Sequence, residues 1–326
     1  MSKSEILLSI RNLKTHFYTE EGVVEALDGV NLDILRGETL GLVGETGCGK
    51  SVTALSLMQL IPSPPGKIIA GEILFEGENL LDKSAEEIRR IRGRKISMIF
   101  QDPMTSLNPV YCIGDQVSEA IRLHQHTTKV LTWEKMVDAL HLVRIADAEE
   151  RATDYPHQFS GGMRQRAMIA MMMSCRPALL IADEPTTSLD VTIQAQVLLL
   201  MDELQRELNM SILLITHNLG VIAESCDRVG VMYSGNVIEL ADVDTLFEAP
   251  SHPYTQGLLG SIPRPDRDME DLTIIPGSVP SLINPPSGCR FHPRCLHAKD
   301  ICRRKKPKEL MVEKGHMVAC HLFGGN

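Results

Sequence analysis

Gly44-Glu45-Thr46-Gly47-Cys48-Gly49-Lys50-Ser51 is the stretch whose reading decides the fold. It matches G-x-x-x-x-G-K-[ST], the phosphate-binding loop. Leu40-Gly41-Leu42-Val43 before it reads as a short buried strand. Val52-Thr53-Ala54-Leu55-Ser56-Leu57-Met58 after it reads as the first turns of a helix. A strand, a glycine loop and a helix N-terminus in that order make an anion site. The glycines let backbone N–H groups point inward at phosphate oxygens with no side chain in the way. Lys50 is expected to reach the β- and γ-phosphates, and the Ser51 hydroxyl to ligate Mg²⁺. The rival reading is a chance glycine-rich turn; the strand-loop-helix setting argues against it.

The whole chain bounds what that loop can belong to. Its 326 residues leave room for one large domain and a smaller one. With 43% hydrophobic and 23% charged residues, it has the composition of a soluble globular protein. A net charge of −9 argues against a general nucleic-acid binder, which is usually basic. No uninterrupted apolar run reaches the length of a membrane span; the nearest, Met168 to Ala182, is broken by Arg176-Pro177. Met1-Ser2-Lys3-Ser4-Glu5 lacks the apolar core of a signal peptide, so a cytosolic chain is expected, with any membrane role coming through a partner. Eight cysteines in such a chain suit free thiols or metal ligands better than disulfides.

Residues 5–40 alternate apolar and polar positions and predict antiparallel strands around a turn at Glu20-Glu21-Gly22. Phe17 and Tyr18 precede that turn; either could stack on an adenine ring, and either could equally be a packed sheet aromatic. Residues 71–77 and Lys95–Phe100 predict further strands, the second ending on Gln101. Residues 102–158 then lose their strand signals, with helices predicted over Gly114–Gln125 and Thr132–Arg144: a helical insertion in an α/β domain. Ser160-Gly161-Gly162 opens a long helix, and such an N-cap leaves backbone donors at the positive end of the helix dipole. An ordinary cap is the competing reading there.

Ala178-Leu179-Leu180-Ile181-Ala182 is an apolar strand ending on Asp183-Glu184. Asp183 suits the Mg²⁺ shell, and Glu184 would polarise a water near the γ-phosphate. Asp190 caps the next helix, and Ser211–Thr216 is another buried strand ending on His217. Gln101, Asp183-Glu184 and His217 are thus polar groups at strand ends, expected to wall one site. A strand pair over Arg228–Glu239 and a helix near Val243–Glu248 follow. Beyond about residue 263 prolines accumulate, periodicity fades, and Cys289, Cys295, Cys302 and Cys320 appear.

In that order these residues resemble the ATP-binding subunits of ABC transporters over roughly residues 5–260. Gln101–Pro109, Gly161–Arg166, Ala249–Thr255 and Gly288–Cys295 are similar to the di- and oligopeptide importer branch. The resemblance implies an α/β ATPase core with a mixed sheet, an antiparallel β subdomain and a small Cys-bearing extension. The expected limits are 1–260 for the ATPase domain, with the insertion at about 102–176, and 261–326 for the extension. It implies that Phe17 stacks on adenine, with Tyr18 as the alternative, and that Gly44, Glu45, Thr46, Gly47, Cys48, Gly49, Lys50, Ser51 and Val52 hold ATP. Ser51, Gln101 and Asp183 would surround Mg²⁺. Glu184 would be the general base, Gln101 would contact the attacking water, and His217 would contact the γ-phosphate. Ser160, Gly161 and Gly162 would bind the γ-phosphate of ATP held by a second ATPase subunit, with Asp190 beside them. Phe159, Met163 and Asn218 depart from the commonest residues of the broad family without removing a catalytic group.

The function implied is ATP hydrolysis that energises import of dipeptides or oligopeptides. The expected partners are an identical or paralogous ATPase subunit, two membrane permease subunits and an extracytoplasmic peptide-binding protein, with no nucleic acid. The chain would sit peripherally on the cytoplasmic face of the cell membrane. Three rivals remain open: the same role for another small solute such as nickel, a soluble non-transport ABC ATPase, and a tail that acts as a redox sensor regulating the complex. Four thiolates in a segment poor in apolar residues suit an iron–sulfur cluster or structural zinc. The resemblance favours a [4Fe–4S] cluster on Cys289, Cys295, Cys302 and Cys320; His292, His297 and His321 keep the zinc alternative open.

Overall fold

The computed structural model describes residues 5–101, 106–186, 190–261 and 275–324. Alternation sets the first sheet. Strands β1 (Ile6–Thr19) and β2 (Gly22–Leu35) run antiparallel around Glu20-Glu21, with Ile10 opposite Leu32 and Leu8 opposite Ile34. All four of these side chains are buried, so a one-residue slip would turn an apolar row to solvent. Strand β3 (Thr39–Val43) is buried throughout and leads into α1 (Lys50–Leu57). Strands β4 (Gly66–Phe75) and β5 (Glu78–Asn79) complete an antiparallel sheet in the order β2-β1-β4-β5. β4 begins at Gly66, earlier than the predicted Gly71, because Phe17, His16 and Thr15 of β1 already pair with Gly66, Lys67 and Ile68.

The middle of the chain holds α2 (Ala85–Ile91), β6 (Ile96–Ile99), α3 (Ile113–Gln125), α4 (Lys129–Leu142), α5 (Ala148–Arg151) and α6 (Gly161–Met173). Strand β7 (Leu179–Asp183), helix α7 (Val191–Leu208) and strand β8 (Ser211–Ile215) follow. Local chemistry places their ends. Ser84 and Glu87 form a reciprocal capping box on α2, Thr128 caps α4, and Asp190 caps α7. In α3, Ile113, Val117 and Ile121 fall on one face at i, i+4, i+8, and all three are fully buried among α4 and α6. β6 and β7 pair in parallel, with β8 on the other side of β7.

The last third adds α8 (Leu219–Ser225), β9 (Arg228–Tyr233), β10 (Asn236–Asp242), α9 (Val243–Glu248), α10 (Pro253–Gly260), α11 (Asp300–Arg304), β11 (Leu310–Glu313) and β12 (His316–Val318). β9 is parallel to β3 and antiparallel to β10, so the sheet is mixed, as expected. The tail differs from its sequence reading. α10 was not predicted, and neither was the β11–β12 hairpin, which joins β10 through Glu239 and Leu240 paired with Val318 and Met317. Val318 and Phe291 are buried, so the tail shares the core of the sheet it extends.

Two compact units result. One is chiefly Lys83–Leu214; the other joins Ser4–Asp82 to Ile215–Asn326. The phosphate loop, His217 and the cysteine-bearing tail lie in the second unit. Gln101, Ser160, Asp183, Glu184 and Asp190 lie in the first.

Candidate functional site

The phosphate loop turns between β3 and α1 on three glycines with left-handed φ: Gly44 at +150°, Gly47 at +81° and Gly49 at +110°. Gly44 is the most constrained. A Cβ there would lie 2.2 Å from the Met232 carbonyl oxygen and 2.8 Å from Cys48 Sγ. Gly49 is the N-cap of α1 and supplies no side chain, so the first N–H groups of the helix stay directed at the loop hollow. Lys50 is buried. Its ammonium donates to the Gly44 carbonyl at 2.7 Å and the Glu45 carbonyl at 3.2 Å, and its Nζ is 3.6 Å from Cys48 Sγ. One fixed positive charge in a cradle of backbone donors is the chemistry of a nucleotide β/γ-phosphate site. Burial pushes the Cys48 thiol up, against the pull of Lys50, so it remains a packed, neutral group. Ser51 and Val52 are half-buried at the start of α1, and Thr46 and Gly47 are exposed at the loop tip.

Elsewhere in the second unit, Thr216 donates its N–H to the Leu42 carbonyl of β3 at 3.4 Å, and its neighbour His217 is exposed. Asn218 caps α8, its side-chain oxygen accepting from Gly220 at 2.9 Å and Val221 at 3.4 Å. An Asp would make the same cap, so the structure does not explain the departure at this position. Phe17 is half-buried, and a Cβ on Gly66 would come within 2.8 Å of its ring. Tyr18 is 53% exposed.

In the first unit, Asp183 is buried at the end of β7 and Glu184 follows with φ +50°. A non-glycine residue in that region costs about 1 kcal/mol or more and is found where the chain must aim a side chain. Gln101 Nε2 donates to Glu184 Oε2 at 3.3 Å, so these two predicted residues are in contact. Behind them the buried Gln165 side chain donates to the Pro185 carbonyl and pins the turn after Glu184. Ser160 caps α6, its Oγ accepting from Met163 N at 3.3 Å. A Cβ on Gly161 would meet nothing within 4 Å, so the backbone at this helix start is open to a ligand. Asp190 Oδ1 accepts from Ile193 N at 2.9 Å. Residues 102–105 and 187–189, including part of the loop after Gln101 and the Ser188-Leu189 of the predicted cap, lie outside the described residues.

Comparison with known proteins agrees with this geometry. The family model described as "ABC transporter" matches residues 27–187. The chain is 52% identical to a probable peptide ABC transporter ATP-binding protein of Sinorhizobium fredii, covering 98% of this chain and 95% of that one. The chain belongs to the ABC transporter ATP-binding family. This ABC ATPase is also 50% identical to a dipeptide transport ATP-binding protein of Bacillus subtilis (98% and 95% covered) and 47% identical to one of Escherichia coli (97% and 96% covered). A second family model, "Oligopeptide/dipeptide transporter, C-terminal region", matches residues 238–302. Among solved structures, cbiO1 of Clostridium perfringens, part of an ABC transporter complex, is 28% identical with TM-score 0.65 over 76% of this chain and 92% of that one. A dimeric ATP-binding cassette solved with ADP and Pi has TM-score 0.64 at 24% identity over 72% and 98%, which supports the fold.

The tail of this ABC ATPase needs a separate account. Cys289, Cys295, Cys302 and Cys320 are free thiols. Cys289 N donates to the Cys302 carbonyl at 2.8 Å, so two of the four cysteines are joined through the backbone. Burial pushes the Cys289 thiol up to about 11 and raises Cys295 and Cys320 as well. Among the described residues, however, no three His, Cys, Asp or Glu side chains converge as a metal site. The expected [4Fe–4S] ligands are neighbours, not a formed cage, and neither is the zinc alternative. His292 Nδ1 is engaged with the Cys289 carbonyl at 2.9 Å and His321 Nε2 with the Lys305 carbonyl at 2.8 Å.

Two functional contacts escaped sequence reading. Arg294 Nη1 donates to both Glu45 carboxylate oxygens, at 3.1 and 3.0 Å, and Tyr254 Oη accepts from Glu45 N at 3.0 Å. Glu45 is the second residue of the phosphate loop. Tyr254 stands in Ala249–Thr255 and Arg294 in Gly288–Cys295, both notable only for family likeness, and no periodicity or spacing ties either to residue 45.

Proposed function

We propose that this chain is the ATP-hydrolysing subunit that energises import of dipeptides or oligopeptides through an ABC transporter. The observation that carries the reading is the phosphate loop with its buried Lys50, in a chain matching peptide-transport ATP-binding proteins over nearly its whole length. The match of the oligopeptide/dipeptide transporter C-terminal region supports peptides over nickel or another solute. ATP would lie with its phosphates on Gly44–Val52 and its adenine on Phe17 or Tyr18. Ser51, Gln101 and Asp183 would take Mg²⁺, which would neutralise charge on the phosphates. Glu184 would accept the proton of the attacking water, held by Gln101, and His217 would contact the γ-phosphate.

Two ATPase subunits would close on two ATP molecules. Ser160, Gly161 and Gly162 of each would face the phosphate loop of the other, with Asp190 beside the junction. ATP drives closure because it binds the closed pair better than the open one. The partner ATPase would be identical or paralogous, since either supplies the same signature. Two permease subunits and an extracytoplasmic binding protein would complete the importer. No helix among the described residues is long and apolar enough to cross a membrane. On this reading the chain would sit peripherally on the cytoplasmic face, held by the permease subunits. We assign the four tail thiols to a [4Fe–4S] cluster; their common neighbourhood supports it, and they would have to ionise and converge on assembly.

Glu184→Gln tests the catalytic assignment. The variant is expected to retain ATP binding, lose phosphate release and show a larger ATP-induced dimer fraction in light scattering. Turnover at the wild-type rate removes Glu184 from the mechanism. In vesicles carrying the assembled importer, ATP-dependent uptake of a labelled dipeptide is expected; nickel uptake in its place refutes the peptide reading.

A further inference from the structure

Glu45 is held through three different groups, all within the second unit. Its backbone N–H donates to Tyr254 Oη at 3.0 Å. Its carboxylate accepts both hydrogen bonds from Arg294 Nη1. Its carbonyl accepts from Lys50 Nζ at 3.2 Å and from Cys48 N at 3.2 Å. The peptide N–H and the carboxylate of Glu45 are therefore held from outside the loop, by Tyr254 and Arg294, while its carbonyl is held within the loop and helps position the ammonium meant for phosphate. Arg294 is itself immobilised: its Nε donates to the Pro276 carbonyl at 2.9 Å, and Nη1 lies 3.4 Å from Tyr233 Oη. Its side chain is only 7% exposed, against 27% for Glu45. Tyr254 is fully buried and stands in an aromatic group with Tyr233 and Phe291, ring centroids 4.7 to 5.5 Å apart. Side chains so packed have little freedom left to lose, which is what a positioning contact requires.

We propose that Arg294 and Tyr254 are positioning residues of the phosphate loop, through which the C-terminal region sets the affinity of the site for ATP. The inference rests on the nucleotide-binding reading above. Arg294 comes from the Cys289–Cys295 segment and Tyr254 from the start of α10, so two separate pieces of the region beyond the sheet grip one loop residue. Neither reaches phosphate itself. Each acts by holding Glu45, and through it Lys50 and the N–H groups that follow. Removing either leaves a loop that must order itself when ATP arrives, and affinity falls by that ordering cost.

The test uses the full-length chain and MgATP binding by calorimetry, with the melting midpoint of the nucleotide-free chain measured alongside. Arg294→Gln is expected to weaken binding about tenfold, as for loss of a charge-assisted contact. Arg294→Lys should recover most of that loss, since it restores the charge on Glu45. Tyr254→Phe removes one oxygen outside the cysteine segment and is expected to weaken binding severalfold while the nucleotide-free midpoint stays within about 2 °C of wild type. Glu45→Gln combined with Arg294→Gln should bind no worse than Arg294→Gln alone, because both act through one contact. Lys50→Ala separates the two readings. If it binds MgATP like wild type, the nucleotide reading itself fails. If it loses binding while Arg294→Gln and Tyr254→Phe keep wild-type affinity, only the positioning role is overturned. Losses in affinity that Arg294→Lys does not recover, or that appear only with a collapsed midpoint, also overturn it.

Discussion

His252→Asn should flatten the acid side of this protein's stability profile. The His252 imidazole is 1% exposed, and burial alone holds it down at about 3, against 6.5 for a free imidazole. The folded chain therefore keeps it neutral between about pH 3 and 6.5, while the unfolded chain binds a proton there. The state that binds more protons gains as pH falls, so the contribution of His252 to stability is fully present above 6.5 and is lost progressively toward 3. At about 1.4 kcal/mol per pH unit, a fall to about pH 5 costs about 2 kcal/mol through this one group. Asn suits the site because His252 Nδ1 accepts from Tyr254 N at 3.0 Å at the start of α10, and an Asn oxygen makes the same cap. The loss of ring volume beside Phe291, whose centroid is 5.6 Å away, destabilises the variant equally at every pH. Urea unfolding followed by circular dichroism at pH 7.5 and about pH 5 reads the difference. Wild type should lose about 2 kcal/mol more than the variant over that interval, with equal denaturant slopes. Identical pH dependence in the two proteins would refute the burial argument, since Glu239, His316 and every other titrating group are common to both.

Two further outcomes test the loop and the tail. Gly44→Ala would force a Cβ to 2.2 Å from the Met232 carbonyl oxygen, so the backbone must move; MgATP should no longer raise the melting midpoint, and a normal ATP-induced rise would show the loop tolerates the shift. Anaerobically purified protein should be brown, absorb near about 400 nm and carry about four iron atoms per chain. Colourless protein with stoichiometric zinc would reassign the thiols, and protein with neither metal would leave them structural.

The sequence by itself determined the local elements. The phosphate loop, the strand ends at Gln101, Asp183, Glu184 and His217, and the caps Ser160 and Asp190 were all legible because each depends on its near neighbours. Glycine conformations, N-caps and the two- and 3.6-residue periods are properties of a few consecutive positions. The tertiary structure decided the rest. That Gln101 meets Glu184 could be guessed only from both ending strands, and β6 lying beside β7 brings them together. That β12 extends the sheet at Glu239 and Leu240 was hidden because the hairpin is short and its core is borrowed from β10. Most of all, Arg294 and Tyr254 reach Glu45 from 249 and 209 residues away. A hydrogen bond needs its two atoms about 3 Å apart and carries no trace of the chain length between them. Only the folding of β3, β9 and β10 side by side sets those partners around the loop.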